Sequence, residues 1–136
     1  NMEQVTAVVL FSVNHIRYIE QKLGVLQTGE ILRCAVEIAG KCQEKQSKIY
    51  RLSENVVCLV FFEPIELDRY IMTIKEEFLH KGEERKLRLS LAGGGIYNNQ
   101  INQEDMDSLI RRCEEVRLMD EKKEEAEFVK GKINIL

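Results

Sequence analysis

The chain has no uninterrupted apolar run longer than Val56 to Phe62, far short of the ~20 residues that a bilayer-spanning helix needs. Its N-terminus also lacks the charged-then-apolar pattern of a secretion signal. Net charge is scarce as well, because 23 acidic and 20 basic residues are mixed along the sequence and leave only −3. No strong field of one sign is there to gather nucleic acid or anionic lipid. Neither partner is expected, nor is membrane insertion, and the expected location is cytoplasmic. Four cysteines, Cys34, Cys42, Cys58 and Cys113, lie far apart without a CxxC pair, which favours reduced, buried thiols over a disulfide or a zinc site. Pro64 is the only proline, and it stands just past an apolar segment, where a helix can start.

What is present suffices for one compact domain. With 136 residues, 44% hydrophobic and 32% charged, such a chain buries roughly two-thirds of its unfolded surface. Asn1 precedes Met2, as in a cloning remnant or a piece of a longer chain. Residues 1–136 are therefore expected to form a single domain of a larger multidomain protein.

Val5 to Val13 is β-branched and apolar and reads as a buried strand. Asn14 can cap a short helix carrying Ile16, Ile19 and Leu23 and stopped by Gly24. A second helix is expected after Thr28-Gly29, with Ile31, Leu32, Ala35, Ile38 and Ala39 along one face. Ile49 to Phe62 holds two apolar runs around a short polar turn, the pattern of a β-hairpin. Leu67, Tyr70, Ile71, Ile74 and Phe78 then recur with helical period. Leu87, Leu89 and Leu91 alternate like a strand that Gly93, Gly94 and Gly95 end or bulge. A last helix from near Gln103 is expected to carry Met106, Leu109, Ile110, Cys113 and Val116 inward before the charged stretch Asp120 to Glu127. Ile133 and Ile135 suit a short edge strand. No internal repeat is visible. The order predicts an α+β domain with a ferredoxin-like βαββαβ core, an antiparallel sheet with its helices on one face.

Several segments, in order, resemble the GGDEF domain, the nucleotidyl cyclase-type module that condenses two GTP into cyclic di-GMP. Ala7 to Arg17 is similar to the family's first strand followed by D-x-D-x-F-K. Ile19 through Leu32, with Gly24, resembles N-D-x-x-G-H-x-x-G-D-x-x-L. Tyr50-Arg51-Leu52 and Ser53-Glu54-Asn55-Val56-Val57 stand in the place of R-[LY]-G-G-[DE]-E-F. Leu89 to Gly93 is similar to S-I-G-[IV]-A, and Leu109 to Lys122 stands where the closing A-D-x-A-L-Y-x-A-K helix would be.

That resemblance implies a degenerate site. Joining triphosphates needs Mg²⁺ held by hard carboxylate oxygens, and the two metal-ligand positions are Ser12 and Asn55, both neutral. Asn14 replaces the second aspartate of D-x-D, and Val56 the glutamate after the metal ligand. Glu20 and Gly29 stand at the guanine-reading positions, and Ser53-Glu54 replaces the paired glycines that let a phosphate approach. Only Arg17 keeps the charge of a phosphate contact. The inhibitory product motif, R-x-x-D, would fall on Glu44-Lys45-Gln46-Ser47 and is absent. The resemblance therefore implies no catalytic residue, no metal and no cofactor, with Glu20 or Glu54 as the only substitutes for a lost carboxylate.

Other chemistry has plainer readings. His15 has no catalytic companion and reads as a turn histidine, and Gly93-Gly94-Gly95 lacks the Lys-Ser/Thr pair of a phosphate loop. Lys81, Arg85, Lys86 and Arg88 are interleaved with Glu83 and Glu84, as in a solvated loop. Phe61 and Phe62 lack the context of RNA-stacking aromatics.

The expectation is a catalytically inactive regulatory or protein-interaction module of a bacterial signalling protein, partnered by neighbouring signalling domains. A nucleotide-sensing domain built on Ser12, Asn14, Arg17, Ser53 and Asn55 is the alternative, and a residual weak diguanylate cyclase the third reading. A homodimer is compatible with the resemblance, since active cyclases meet as pairs.

Overall fold

The computed structural model describes residues 4–41 and 47–129. Cys42, the segment 44–46 and the expected edge strand at Ile133 and Ile135 lie outside them. All 7 residues of β1 (Ala7–Val13) are buried, and that fixes the architecture, because a strand dry on both sides needs a layer against each face. β1 pairs antiparallel with β3 (Val57–Phe61) on one side and with β4 (Leu91–Tyr97) on the other. β2 (Ser47–Arg51) lies beside β3, so the order among the described residues is β2-β3-β1-β4.

The period of two sorts the layers. Val9, Phe11 and Val13, with Leu59 and Phe61, pack against α1 (Ile16–Lys41) and α2 (Leu67–Glu84) through residues such as Ile31, Ile38, Tyr70, Ile74 and Phe78. Val8 and Leu10, with Cys58 and Val60, pack against Leu109 and Cys113 of α3 (Met106–Val129). The α+β antiparallel core is as expected, but its helices do not share one face. Strands apolar at odd and even positions alike require two covers, and α3 is the second.

Local signals set the element ends. Gly24, at φ +86°, breaks α1 into two helical stretches, a conformation open to glycine because it has no Cβ. The second stretch resumes directly behind it, earlier than the Thr28-Gly29 start expected, and the Thr28 hydroxyl donates to the Gly24 carbonyl at 2.7 Å. The hairpin turn is closed by Leu52 N–H donating to Val56 C=O at 2.9 Å. Pro64 precedes α2, whose Leu67 N–H donates to the Tyr97 hydroxyl at 3.0 Å. Asp105 caps α3 by accepting from Ser108 N–H at 2.9 Å.

Two expectations are corrected. Gly93, Gly94 and Gly95 do not end a strand; they pair with Phe11, Leu10 and Val9 in the middle of β4. A Cβ on Gly94 would lie 2.5 Å from Arg117 N, and one on Gly93 2.9 Å from the Phe11 ring, so bare backbone lets the layers close on the strand from both sides. Val116 does not point inward: it is 39% exposed while Arg117 is 4% exposed. The inward row of α3 runs Leu109, Cys113, Arg117, a strict four-residue spacing.

Cys58 and Cys113 are buried and free. Burial pushes their thiols up to about 11 and about 12. Both are expected to resist a thiolate-selective reagent at neutral pH and to react once urea unfolds the chain. Because these folded values lie above the unfolded one, the associated stability is intact below pH 9.0 and is lost as pH rises through about 11 to 12. Native-state alkylation at pH 7 at the rate of a free thiol would contradict this.

Candidate functional site

Ser12, Asn14, Glu54 and Asn55 lie where the end of β1 meets the hairpin turn. Asn55 lies two residues beyond the Phe11–Val57 pair of β1 and β3, opposite Val13. Its Oδ1 accepts from Val13 N–H at 3.0 Å, while its Nδ2 donates to Val13 C=O at 3.0 Å. An amide carries both a donor and an acceptor, so this side chain continues the ladder where the strand has turned away. An ionised carboxylate has no donor and could make only half of the bracket.

On the α3 face, the Ser12 hydroxyl oxygen accepts a hydrogen bond from Arg117 Nη1. The same guanidinium donates through Nε and Nη2 to both oxygens of Glu114, at 2.6 and 2.7 Å, and through Nη1 to Glu121 at 2.8 Å. Its side chain is 5% exposed. Hydrogen bonding to Glu114 raises the Arg117 pKa above its ordinary value, outweighing burial, and Glu121 adds to the rise.

Further polar links continue along α3. Asn14 Nδ2 donates to Ser90 Oγ at 2.9 Å, and Ser90 donates to Glu124 at 3.1 Å. Asp120 accepts from Gly93 N–H at 2.9 Å and pairs with Lys75 at 2.5 Å. Asn14 Oδ1 is buried with no hydrogen-bond partner among the described residues.

Between these elements lies a small cleft lined by Ser12, Val13, Arg51, Glu54, Asn55 and the Leu32–Ala39 side of α1. Its enclosed volume is about 10 Å³, room for one water. Small-molecule sites span about 300–1,000 Å³.

The structure therefore brings Ser12, Glu54 and Asn55 to one cleft, with Asn14 buried beside it. It does not bring the others there: Arg17 and Glu20 are exposed on the first turns of α1, Gly29 is half-buried further along it, and Ser53 is exposed in the turn. His15 sits in that strand-to-helix turn at φ +59°. The family resemblance assigns no role to Arg117, Glu114 or Glu121. The signal was the Leu109, Cys113, Arg117 spacing, with glutamates three residues before and four after the arginine.

The donor set does not suit a hard divalent cation. Ser12 already takes a guanidinium, the Asn55 amide is spent on Val13, and Mg²⁺ favours carboxylate oxygens. Among the described residues no three His, Cys, Asp or Glu side chains group to hold a metal ion. No helix among them is long and apolar enough to cross a membrane.

No family model matches the chain, and no curated protein matches it. Solved structures do. The active GGEEF domain of a diguanylate cyclase from Vibrio cholerae aligns with a TM-score of 0.67 at 13% identity, over 82% of this chain and 73% of that one. The GGDEF domain of DgcB from Caulobacter crescentus, in complex with c-di-GMP, aligns with a TM-score of 0.70 at 12% identity, over 88% and 73%. The diguanylate cyclase SiaD from Pseudomonas aeruginosa, in complex with its activator SiaC, aligns with a TM-score of 0.72 at 10% identity, over 88% and 47%. At such identities the likeness establishes the fold, and the chain has the fold of GGDEF domains.

Proposed function

We propose that this is a catalytically silent domain of the GGDEF fold, serving as a regulatory or protein-interaction module of a bacterial signalling protein. The observation that carries the reading is the use already made of its two metal-position side chains. Ser12 receives the Arg117 guanidinium and Asn55 brackets Val13, so neither is free to hold a cation, and neither carries the charge to neutralise a triphosphate. The cleft that both positions line on the α1 side encloses about 10 Å³, room for one water. A fold kept whole around a site tied up in structural bonds is suited to contact and signal transmission. SiaD, a diguanylate cyclase of the same fold, is found in complex with a protein activator, which supports a partner-facing role.

Calorimetric titration with GTP, ATP and cyclic di-GMP in the presence of Mg²⁺, followed by product analysis of the GTP sample, tests the reading. The expected result is no binding heat and no product. Formation of cyclic di-GMP would overturn it, and binding heat without product would replace it with a nucleotide sensor.

A further inference from the structure

The missing carboxylates explain only part of why a cation would avoid this end of the sheet. A divalent ion bound at residue 12 would sit about 2.0–2.1 Å from its oxygen, and the Ser12 hydroxyl oxygen already receives Arg117 Nη1. Four hydrogen bonds, to Ser12, Glu121 and both oxygens of Glu114, occupy most of the guanidinium's donors. The fork is also fixed from behind. A Cβ on Gly94 would meet Arg117 N at 2.5 Å, and one turn earlier the Cys113 thiol lies 3.2 Å from the Gly94 carbonyl. The α3 backbone therefore lies against β4 at this turn, which fixes the point from which the arginine side chain reaches Ser12.

We propose that Arg117 is a built-in counter-cation: its guanidinium takes the charge-neutralising place beside residue 12 that a divalent ion would need, so a carboxylate returned to that position would pair with Arg117 instead of a metal. The inference rests on the reading that Ser12 stands at the metal-ligand position of the fold. It adds that silence is maintained by a group on α3, outside both altered motifs. Glu114 and Glu121 hold the fork in place, so the guanidinium occupies the Ser12 oxygen by direct contact.

The test uses the full chain with Mn²⁺ as the probe, comparing wild type, Ser12→Asp and the double variant Ser12→Asp/Arg117→Gln by calorimetry and thermal melting. Wild type is expected to bind no Mn²⁺ and Ser12→Asp to bind it only weakly, with Ser12→Asp melting above wild type through its new ion pair. The double variant is expected to bind at least about tenfold more tightly than Ser12→Asp. Equal Mn²⁺ affinity in the single and double variants would overturn the proposal. Should the double variant fail to fold, Ser12→Asp still decides. A melting temperature indifferent to Mn²⁺, with the introduced carboxyl at position 12 titrating below the ordinary range by NMR, upholds the proposal, and a Mn²⁺-dependent rise refutes it. Turnover of GTP by wild type would instead sink the silent-domain reading, so the two failures are distinguishable.

Discussion

Replacing Gly94 by alanine is expected to destabilise the domain by about 3 kcal/mol, at the upper end for forcing a methyl group into a packed interior. The atoms in the way are backbone: Arg117 N at 2.5 Å, Arg117 Cα at 3.0 Å and Val116 C at 3.0 Å. No rotamer change relieves such a contact, so either α3 or β4 must move. Moving α3 would draw Leu109 and Cys113 off Val8, Leu10, Cys58 and Val60 and strain the Arg117 bond to Ser12. Gly29→Ala is the control. That glycine lies within α1 with nothing inside 4 Å of a new Cβ and no positive φ, so alanine should stabilise by up to about 1 kcal/mol through helix propensity. Urea midpoints at constant m-value give both numbers. A Gly94→Ala midpoint equal to wild type would mean that α3 does not press on β4 as closely as described.

The contrast between these two glycines marks how far the sequence could be read. Gly24 as a helix break, the hairpin from Ile49 to Phe62, and the Leu67, Tyr70, Ile74, Phe78 stripe were legible because each depends on a local period or a local backbone need. The roles of Gly93, Gly94 and Gly95 were not, because close approach of a helix to a strand leaves no mark within the strand itself. The side of the sheet that α3 covers was hidden for the same reason. Its apolar row is short, ending at Cys113, and the next inward residue is a charged Arg117 whose partners lie on α3 and β1. Ser12 and Asn55, singled out by the order of segments in the family resemblance, line one cleft. What each neutral residue does there required the structure, since a substitution that empties a position looks the same in sequence as one that refills it with another bond.

That distinction makes Asn55→Asp the informative exchange at the hairpin. It preserves shape and supplies the carboxylate that the resemblance places there, so a site merely short of charge would gain from it. The bracket on Val13 predicts a loss. The ionised side chain of the Asn55→Asp variant could still accept from Val13 N–H, but the Val13 carbonyl would lose its donor and face an anionic oxygen where Asn55 Nδ2 now lies at 3.0 Å. Leaving one part-buried acceptor unpaired and opposed costs about 2 kcal/mol. The dependence on pH carries the sign. A carboxylate held against a carbonyl has its folded pKa raised above the ordinary value near 3.9, so the variant's deficit is full once pH rises through that raised value. It shrinks as pH falls towards about 4, because the protonated acid can donate to Val13 again. Urea midpoints of wild type and Asn55→Asp at pH 7 and near pH 4 read the difference directly. Equal stability at both pH values would show that the hairpin is not fastened through residue 55, and with it the main support for a structurally occupied metal position would go.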